Sequence, residues 1–353
     1  MLIRANNPLP SDVSFAAAES ASFPALCVGV PVALACKFMG VLFEPPVLAQ
    51  EPIQATNKMP IPKIHGNTLL FMSATITIKK KSFHWYNCPF LLYTSGVGST
   101  LTSAKLDSFF RGFLEIDGFA AADSSLNGLQ VDNDGSEIGK IAFGVDASME
   151  TFERAAALGA GMLFVHHGLF WGAPLRVAGN HRQRLKFLLD HNMCLYAVHL
   201  PLDQHPQMGN NAALAALLGL ENLEPFGLYH GRKVGYKGVF PQPITTEQAA
   251  RKIAFVDRPP LGVYPFGKKE NATCAIVSGG AAAEARQAID EGVDLYITGE
   301  MSHQVYHDCL EGKLNMIAGG HYSTEVWGAR SVMRHCAEEL NIDTEFIDVP
   351  TGL

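Results

Sequence analysis

The sequence has no pair of cysteines at the spacing of a zinc or redox motif. Its 353 residues include seven cysteines, at positions Cys27, Cys36, Cys88, Cys194, Cys274, Cys309 and Cys336. None of them forms a C-x-x-C pair, which excludes a thiolate zinc ribbon and a thioredoxin-like centre. An odd, unpatterned set of cysteines is typical of reduced thiols, so we expect a cytoplasmic protein.

Positive charge is also scarce. The chain carries 27 lysines and arginines against 34 aspartates and glutamates, a formal net charge of -7 at pH 7. Because nucleic-acid binding depends on neutralising phosphates with basic side chains, we expect no specific nucleic-acid partner. No P-loop motif is present either. A hydrophobic content of 48% is typical of a globular chain with a sizeable core, and the length allows two domains.

The first hundred residues show no sustained helical or strand periodicity. Residues 23–43 are almost entirely apolar apart from Lys37, which is long enough for a membrane span or the core of a signal peptide. Only Arg4 supplies a basic residue before them. An anchor or export signal therefore competes with an upstream extension outside the working protein. We favour a disordered or non-native extension over residues 1–100, and we expect no membrane association of residues 101–353.

From Leu101 onward, strands and helices alternate, which predicts an α/β fold with mainly parallel strands. Helices are predicted at 105–114, 180–192, 247–254, 281–291 and 325–340, and strands at 140–145, 193–198, 234–240, 274–277, 295–297 and 316–318. Pro201 and Pro206 are expected to exclude a helix between them. Ser323 or Thr324 is expected to cap the last helix, which would leave His321 in the preceding loop.

An internal repeat divides this region into two halves. Residues 140–168 and 273–300 each run from a strand through a small-residue turn and an alanine-rich helix to a second apolar strand. The next strand in the first half ends in His199-x-x-x-Asp203, and its counterpart ends in His321-x-x-x-Glu325. We therefore expect two similar α/β domains, at 101–230 and 231–353, with a site in the cleft between them.

Two adjacent histidines end another apolar run. Residues 162–165 predict a buried strand of a parallel sheet, and His166 and His167 follow it directly. Ligand sites of such sheets lie just outside the carboxyl ends of the strands. Consecutive strand residues point to opposite faces, so both rings can serve one site only if the strand ends there. Gly168 can supply that ending.

These strand ends together predict a metal centre. The candidate ligands are His166, His167, Asp203, His321 and Glu325. His199, Glu300 and His303 are expected nearby. Imidazole and carboxylate groups without thiolate suit zinc, iron or manganese. Five such groups exceed one tetrahedral site, and carboxylates can bridge, so two divalent ions per chain are expected.

Each candidate also has a simpler explanation. A lone histidine at a strand end is usually a satisfied polar residue, and a single Asp203 or Glu325 would most often cap a helix. Asn210 and Asn211 are interpreted as helix caps. The metal hypothesis depends on the adjacent histidine pair occurring together with two repeat-related His-x-x-x-carboxylate ends.

The same residues resemble a known family, the dinuclear-metal-centre hexameric proteins, also called GTP cyclohydrolase type-two homologues or NIF-three-like proteins. The resemblance covers about residues 101–353 and rests on the motifs SLNGLQV at 125–131, VDAS at 145–148, VHHG at 165–168, HLPLD at 199–203, GNN at 209–211 and GHYSTE at 320–325. It implies two similar α/β domains and a toroidal homohexamer. It also implies two metal ions, held by the five candidate ligands with Glu325 bridging.

The expected function is a metal-dependent hydrolase that acts on a small molecule, with a nucleotide as one candidate. A two-metal site can lower the pKa of a bound water and polarise a carbonyl or phosphoryl oxygen. GTP cyclohydrolase-like chemistry and phosphoester hydrolysis both fit this class, and no catalytic residue is identified beyond the ligands. The alternative is a non-catalytic metal-binding hexameric scaffold or regulator.

Overall fold

The computed structural model describes residues 100–255 and 258–353; the predictions made for residues 1–99 lie outside this part of the chain. The helices are α1 (Ser103–Leu114), α2 (Met149–Ala157), α3 (Gly179–Asp190), α4 (Leu200–Gln204), α5 (Asn210–Leu218), α6 (Thr246–Ile253), α7 (Ala285–Asp290), α8 (His303–Glu311) and α9 (His321–Leu340). The strands are β1 (Gly128–Val131), β2 (Lys140–Asp146), β3 (Met162–His167), β4 (Cys194–Ala197), β5 (Glu221–Tyr229), β6 (Arg232–Ile244), β7 (Gly262–Tyr264), β8 (Asn271–Ile276), β9 (Leu295–Thr298), β10 (Asn315–Ala318) and β11 (Asp343–Phe346).

Two sheets organise these elements. The first has the strand order β1-β4-β3-β2-β11, and the second has the order β5-β6-β8-β9-β10-β7. All pairs of the first sheet are parallel except β1 with β4. The second sheet is mixed, because only β8, β9 and β10 pair in parallel. The predicted α/β class is confirmed, while mainly parallel pairing describes the first sheet only.

The internal repeat appears as two sets of three parallel strands. β2, β3 and β4 are neighbours in chain order, and so are β8, β9 and β10. Helix α4 follows the first set and α9 follows the second. The predicted division at 230/231 falls in the turn between β5 and β6, so the second sheet already begins at Glu221. The last strand, β11, returns to the first sheet beside β2.

Helix α9 ties the two halves together and carries two of the candidate ligands. Its Gly328 lies so close to α4 that an added Cβ would be 2.7 Å from Leu202 Cγ. The Gly328 amide also donates to Asn210 Oδ1 at 2.6 Å. Within residues 100–255 and 258–353, neither α9 nor any other helix has the length and apolar character needed to cross a bilayer.

The region around Pro201 forms a helix, against the prediction. Helix α4 runs over Leu200–Gln204 with Pro201 in its first turn. Proline is tolerated there because the first amides of a helix have no intrahelical acceptor to lose. The prediction treated Pro201 as if it lay in a helix interior.

Helix α9 begins four residues earlier than predicted. Its N-cap is Gly320, with φ +94°, and His321 is its first residue. Thr324 does not cap the helix, because its hydroxyl donates back to the Gly320 carbonyl at 2.9 Å. His321 and Glu325 are therefore i and i+4 residues on one helix face rather than loop and helix residues.

Asp294, just before β9, gives a stability prediction at a distance from the candidate site. Its Oδ2 accepts from the amides of Ala272 and Thr273 at 2.9 and 3.1 Å, and Lys268 Nζ is 2.5 Å from Oδ1. Burial raises the pKa of this carboxyl, but the Lys268 and amide hydrogen bonds outweigh it and lower the pKa. We expect Asp294→Asn to lower the free energy of unfolding at pH 7 by about 1–3 kcal/mol.

The effect of Asp294→Asn should depend on pH in one direction. Since the folded pKa lies below the unfolded value of about 3.9, the stabilisation by the carboxylate is fully present above that value. It is lost as the pH falls through the folded pKa. Urea unfolding of both chains from about pH 7 to pH 3 should show the stability difference shrinking at the acid end. A difference that stays constant over this range would contradict the assignment.

Candidate metal centre

The five candidate ligands meet at the carboxyl ends of β3 and β4 and at the first two turns of α9. β3 ends in His166 and His167 and pairs with β4, so the chain after β4 carries Asp203 to the same edge of the sheet. Helix α9 enters from the second half with His321 and Glu325. His166, Asp203 and Glu325 are buried, and His167 and His321 are half-buried. Both halves of the repeat thus contribute to one cluster.

Glu325 lies at the centre of this cluster. Its Oε1 is 3.5 Å from His166 Nε2, which is itself 3.5 Å from Asp203 Oδ2. Its Oε2 is 3.2 Å from both His167 Nε2 and His321 Nε2. The donor atoms therefore form two sets that share the Glu325 carboxylate. One set contains His166 and Asp203, and the other contains His167 and His321.

Two atoms of this cluster are buried and lack a hydrogen-bond partner among the described residues. They are His166 Nε2 and Glu325 Oε2. Burying an unsatisfied polar or charged group costs free energy unless something binds it. The space between the donors is kept open by Gly279, where an added Cβ would overlap Glu325 Oε1. Two unpartnered ligand atoms therefore lie beside a position that carries no side chain. This arrangement fits a divalent cation held by nitrogen and carboxylate oxygen.

The histidine rings are oriented by partners on their outer side. His166 Nδ1 lies 2.9 Å from the Val198 carbonyl, and His167 Nδ1 lies 2.9 Å from Asp146 Oδ1. His321 Nδ1 lies 2.5 Å from Glu300 Oε1. Carbonyls and carboxylates only accept, so each Nδ1 donates and each Nε2 presents its lone pair to the centre. Such outer partners are the usual means of fixing a metal-binding histidine.

The electrostatics of the cluster favour a bound cation. Burial by itself lowers the pKa of His166, but the charges of Asp203 and Glu325 overcome it and raise that pKa to about 10. His321 behaves in the same way, and Glu325 and Glu300 raise its pKa to about 9. Burial raises the pKa of Glu325, yet the surrounding histidines hold it well below its usual range. The carboxylates thus stabilise a positive charge between them. Either a proton on a histidine or a metal ion can supply that charge.

Asp203 is fixed by two buried side chains that the sequence did not single out as support. Its Oδ1 accepts from Asn210 Nδ2 and from Ser278 Oγ, both at 2.9 Å, so Oδ2 is the oxygen left facing His166. The interpretation of Asn210 and Asn211 as helix caps is wrong, because the N-cap of α5 is Gly209. Both asparagines are fully buried and link Asp203 to α9 and to the second sheet.

Ser278→Ala tests this support of Asp203. Removing the hydroxyl leaves Asp203 Oδ1 with one of its two donors, so its carboxylate is less firmly held. We expect metal affinity to fall by about tenfold or more, as for other outer partners of metal ligands. Competition with a chelator measures the affinity. Ser331→Ala is the matched control, because Ser331 is about equally buried and its Oγ only accepts from Arg334; equal affinities of the two variants would contradict this role.

A fourth histidine faces the cluster without being one of the five candidate ligands. His199 offers a ring nitrogen within 4.8 Å of those of His166 and His167. Its Nδ1 is 2.9 Å from Asp123 Oδ1, and that carboxylate also accepts from Asn127 and from the Leu200 amide. His199 was expected near the centre, but nothing in the sequence indicated Asp123, which is 76 residues away. His303 is exposed at the start of α8 and belongs to none of these donor clusters.

The cluster opens into a cleft of about 660 Å³. Four of the candidate ligands line this cleft, namely His167, Asp203, His321 and Glu325. The remaining walls include His199, Trp171, Tyr229, Glu284 and Glu300. Trp171 packs with its ring 4.9 Å from that of His199, and its indole nitrogen donates to the Gly168 carbonyl. A small organic molecule can therefore reach the donor atoms of the centre.

Known proteins are similar to this chain in sequence and in fold. The family model Duf34/NIF3 (NGG1p interacting factor 3) matches residues 102–352. A "GTP cyclohydrolase 1 type 2 homolog" of Treponema pallidum is 40% identical over 286 residues, covering 72% of this chain and all of that protein. One of Archaeoglobus fulgidus is 42% identical over 250 residues, covering 71% and 99%. The crystal structure of TTHA1606 from Thermus thermophilus superposes with a TM-score of 0.66 at 37% identity, covering 72% of this chain and all of that one.

Proposed function

The chain belongs to the Duf34/NIF3 family, and on that premise we propose that it is a metal-dependent hydrolase with a dinuclear centre. The observation that carries the proposal is the Glu325 carboxylate, whose two oxygens face two different sets of donors. His166 Nε2, Asp203 Oδ2 and Glu325 Oε1 would hold one ion. His167 Nε2, His321 Nε2 and Glu325 Oε2 would hold the other. Zinc, iron and manganese all suit these ligands.

Bound divalent ions would supply a water of lowered pKa and a Lewis acid for a carbonyl or phosphoryl oxygen. The chain's own residues orient what binds beside them. His199 donates from Nδ1 to Asp123, so its Nε2 is left as an acceptor directed at the cluster. There it can accept a hydrogen bond from a substrate or from the attacking water. Trp171 covers one side of this position.

The experiment that tests the proposal combines metal analysis with a substrate screen. The chain is loaded with zinc, manganese or iron and assayed against GTP, pterins, nucleotides and phosphoesters, with GTP first because relatives carry its name. We expect turnover that disappears on chelation and returns when metal is restored. Full metal occupancy without turnover of any of these compounds would instead favour the non-catalytic scaffold or regulator.

We also propose a homohexamer. The supporting observation is β5, an edge strand of the second sheet that pairs with β6 and exposes Leu223 and Leu228. Exposed apolar groups on an unpaired strand edge are typical of an interface. Sedimentation velocity of the full chain should give the mass of six copies; a monomer at micromolar concentration would contradict the assembly.

A further inference from the structure

The carboxylates around the centre already balance the charge of two divalent ions. Asp203 and Glu325 lie among the donors, and Asp146 and Glu300 hold the outer nitrogens of His167 and His321. The ligating histidines are neutral when metal is bound. Two divalent ions would therefore bring four positive charges to four carboxylates, which would either ligate the ions or hold the histidines that ligate them. The centre keeps no positive excess with which to attract a polyanion.

The outer part of the cleft is acidic as well. The side chain of Glu284 is half-buried in the cleft wall and forms no hydrogen bond or ion pair with any described residue. Among the described residues that line the cleft, none is a lysine or an arginine. Sites that take nucleoside triphosphates supply such cations, or a cradle of backbone amides, to the phosphates. Here an incoming phosphate chain would meet an unpaired carboxylate instead.

Aromatic rings complete the walls. Trp171 is 38% exposed and Tyr229 is 41% exposed, and both line the cleft. Indole and phenol faces attract planar rings and, more strongly, cations. Aromatic rings and carboxylates line this cleft, and its described lining residues include no lysine or arginine. Such a composition favours neutral or positively charged molecules.

We propose that the substrate of this cleft is a neutral or cationic ring compound without phosphate groups, rather than a nucleoside triphosphate. This inference rests on the proposed function, because it takes the metal centre as the reacting end of the cleft. The ring packs against Trp171 and Tyr229, and a neutral or positive group faces Glu284. The phosphates of a nucleotide bring a charge that this wall repels.

The test compares three ligands that share a guanine ring system and differ in charge. Binding of guanosine, 7-methylguanosine with its fixed positive charge, and GTP to the metal-loaded full chain is measured by calorimetry. We expect 7-methylguanosine and guanosine to bind more tightly than GTP. Glu284→Lys should reverse this order by tightening GTP and weakening 7-methylguanosine, each by about tenfold from Coulomb interactions near a protein surface.

Glu339→Lys is the matched control for this charge change. Glu339 is exposed near the end of α9, about 27 Å from His321 along the helix at 1.5 Å per residue. The control should leave all three affinities as in the parent chain. GTP binding more tightly than guanosine, no measurable binding of any of the three compounds, or equal effects of the two lysine variants would each overturn the inference.

The outcomes separate this inference from the proposed function. Turnover of GTP with tight GTP binding would support the hydrolase and overturn the phosphate-free substrate. The expected binding order without turnover of any compound would support the cleft's selectivity and count against the hydrolase. Metal content is measured on every sample, so loss of binding through loss of metal is recognised directly.

Discussion

Glu325→Gln is expected to empty both metal positions at once. Glu325 is 3% exposed, and among residues 100–255 and 258–353 its carboxylate is the one whose oxygens face both donor sets. Glutamine keeps only one of the two oxygens. Its NH₂ group would face one of the two donor sets, and it offers hydrogens where a cation needs a lone pair. We expect metal content measured by elemental analysis to fall from two ions per chain to near zero. Any metal-dependent turnover should disappear with it.

Glu300→Gln is the control for that variant. Glu300 contacts the outer nitrogen of His321 and is about half-exposed, so its loss should weaken metal binding by about tenfold without abolishing it. The oligomeric state should be the same in both variants and in the parent chain. A Glu325→Gln protein that retains two ions per chain would refute the bridging role and, with it, the dinuclear arrangement.

The sequence was sufficient to predict which residues meet. The ends of neighbouring parallel strands bring their side chains to the same edge of a sheet. The internal repeat placed Asp203 and Glu325 at equivalent positions of the two halves. The structure brings these two together with His166, His167 and His321, although their binding of metal stays a prediction. Glu325 does lie in this cluster even though the start of α9 was misplaced, because its selection depended on its spacing from His321 and not on the helix boundary.

What the sequence could not predict depends on contacts between distant residues. Asp123 reaches His199 across 76 residues, and Ser278 reaches Asp203 across 75. Neither pair leaves a local pattern, since Asp123 and Ser278 are ordinary loop residues by sequence. Strand β11 pairs with β2 across about two hundred residues, which no periodicity encodes. Helix α4 was missed for a local reason, because the effect of proline on a helix depends on its position within it.

Gly279→Ala is the second substitution expected to have a large effect. Gly279 follows β8 with φ +68°, and an added Cβ would overlap Glu325 Oε1 and come within 3.2 Å of His321 Nε2. The new methyl group would occupy space between the donors, so the Glu325 carboxylate would have to move. We expect the variant to lose metal binding. We also expect its free energy of unfolding to fall by about 1–3 kcal/mol from the steric overlap and by about 1–2 kcal/mol more from placing alanine at a positive φ.

Gly292→Ala separates these two contributions, because Gly292 has the same φ of +68° and no atom within 4 Å of its added Cβ. The control should show the backbone cost alone. Bound metal raises the stability of a folded protein in proportion to the logarithm of its concentration over the dissociation constant. Thermal unfolding with and without added zinc should therefore show a metal-dependent rise in Tm for Gly292→Ala and none for Gly279→Ala. If Gly279→Ala kept that rise, the space beside Gly279 would not be where the metal binds, since the methyl group and the ion cannot share it.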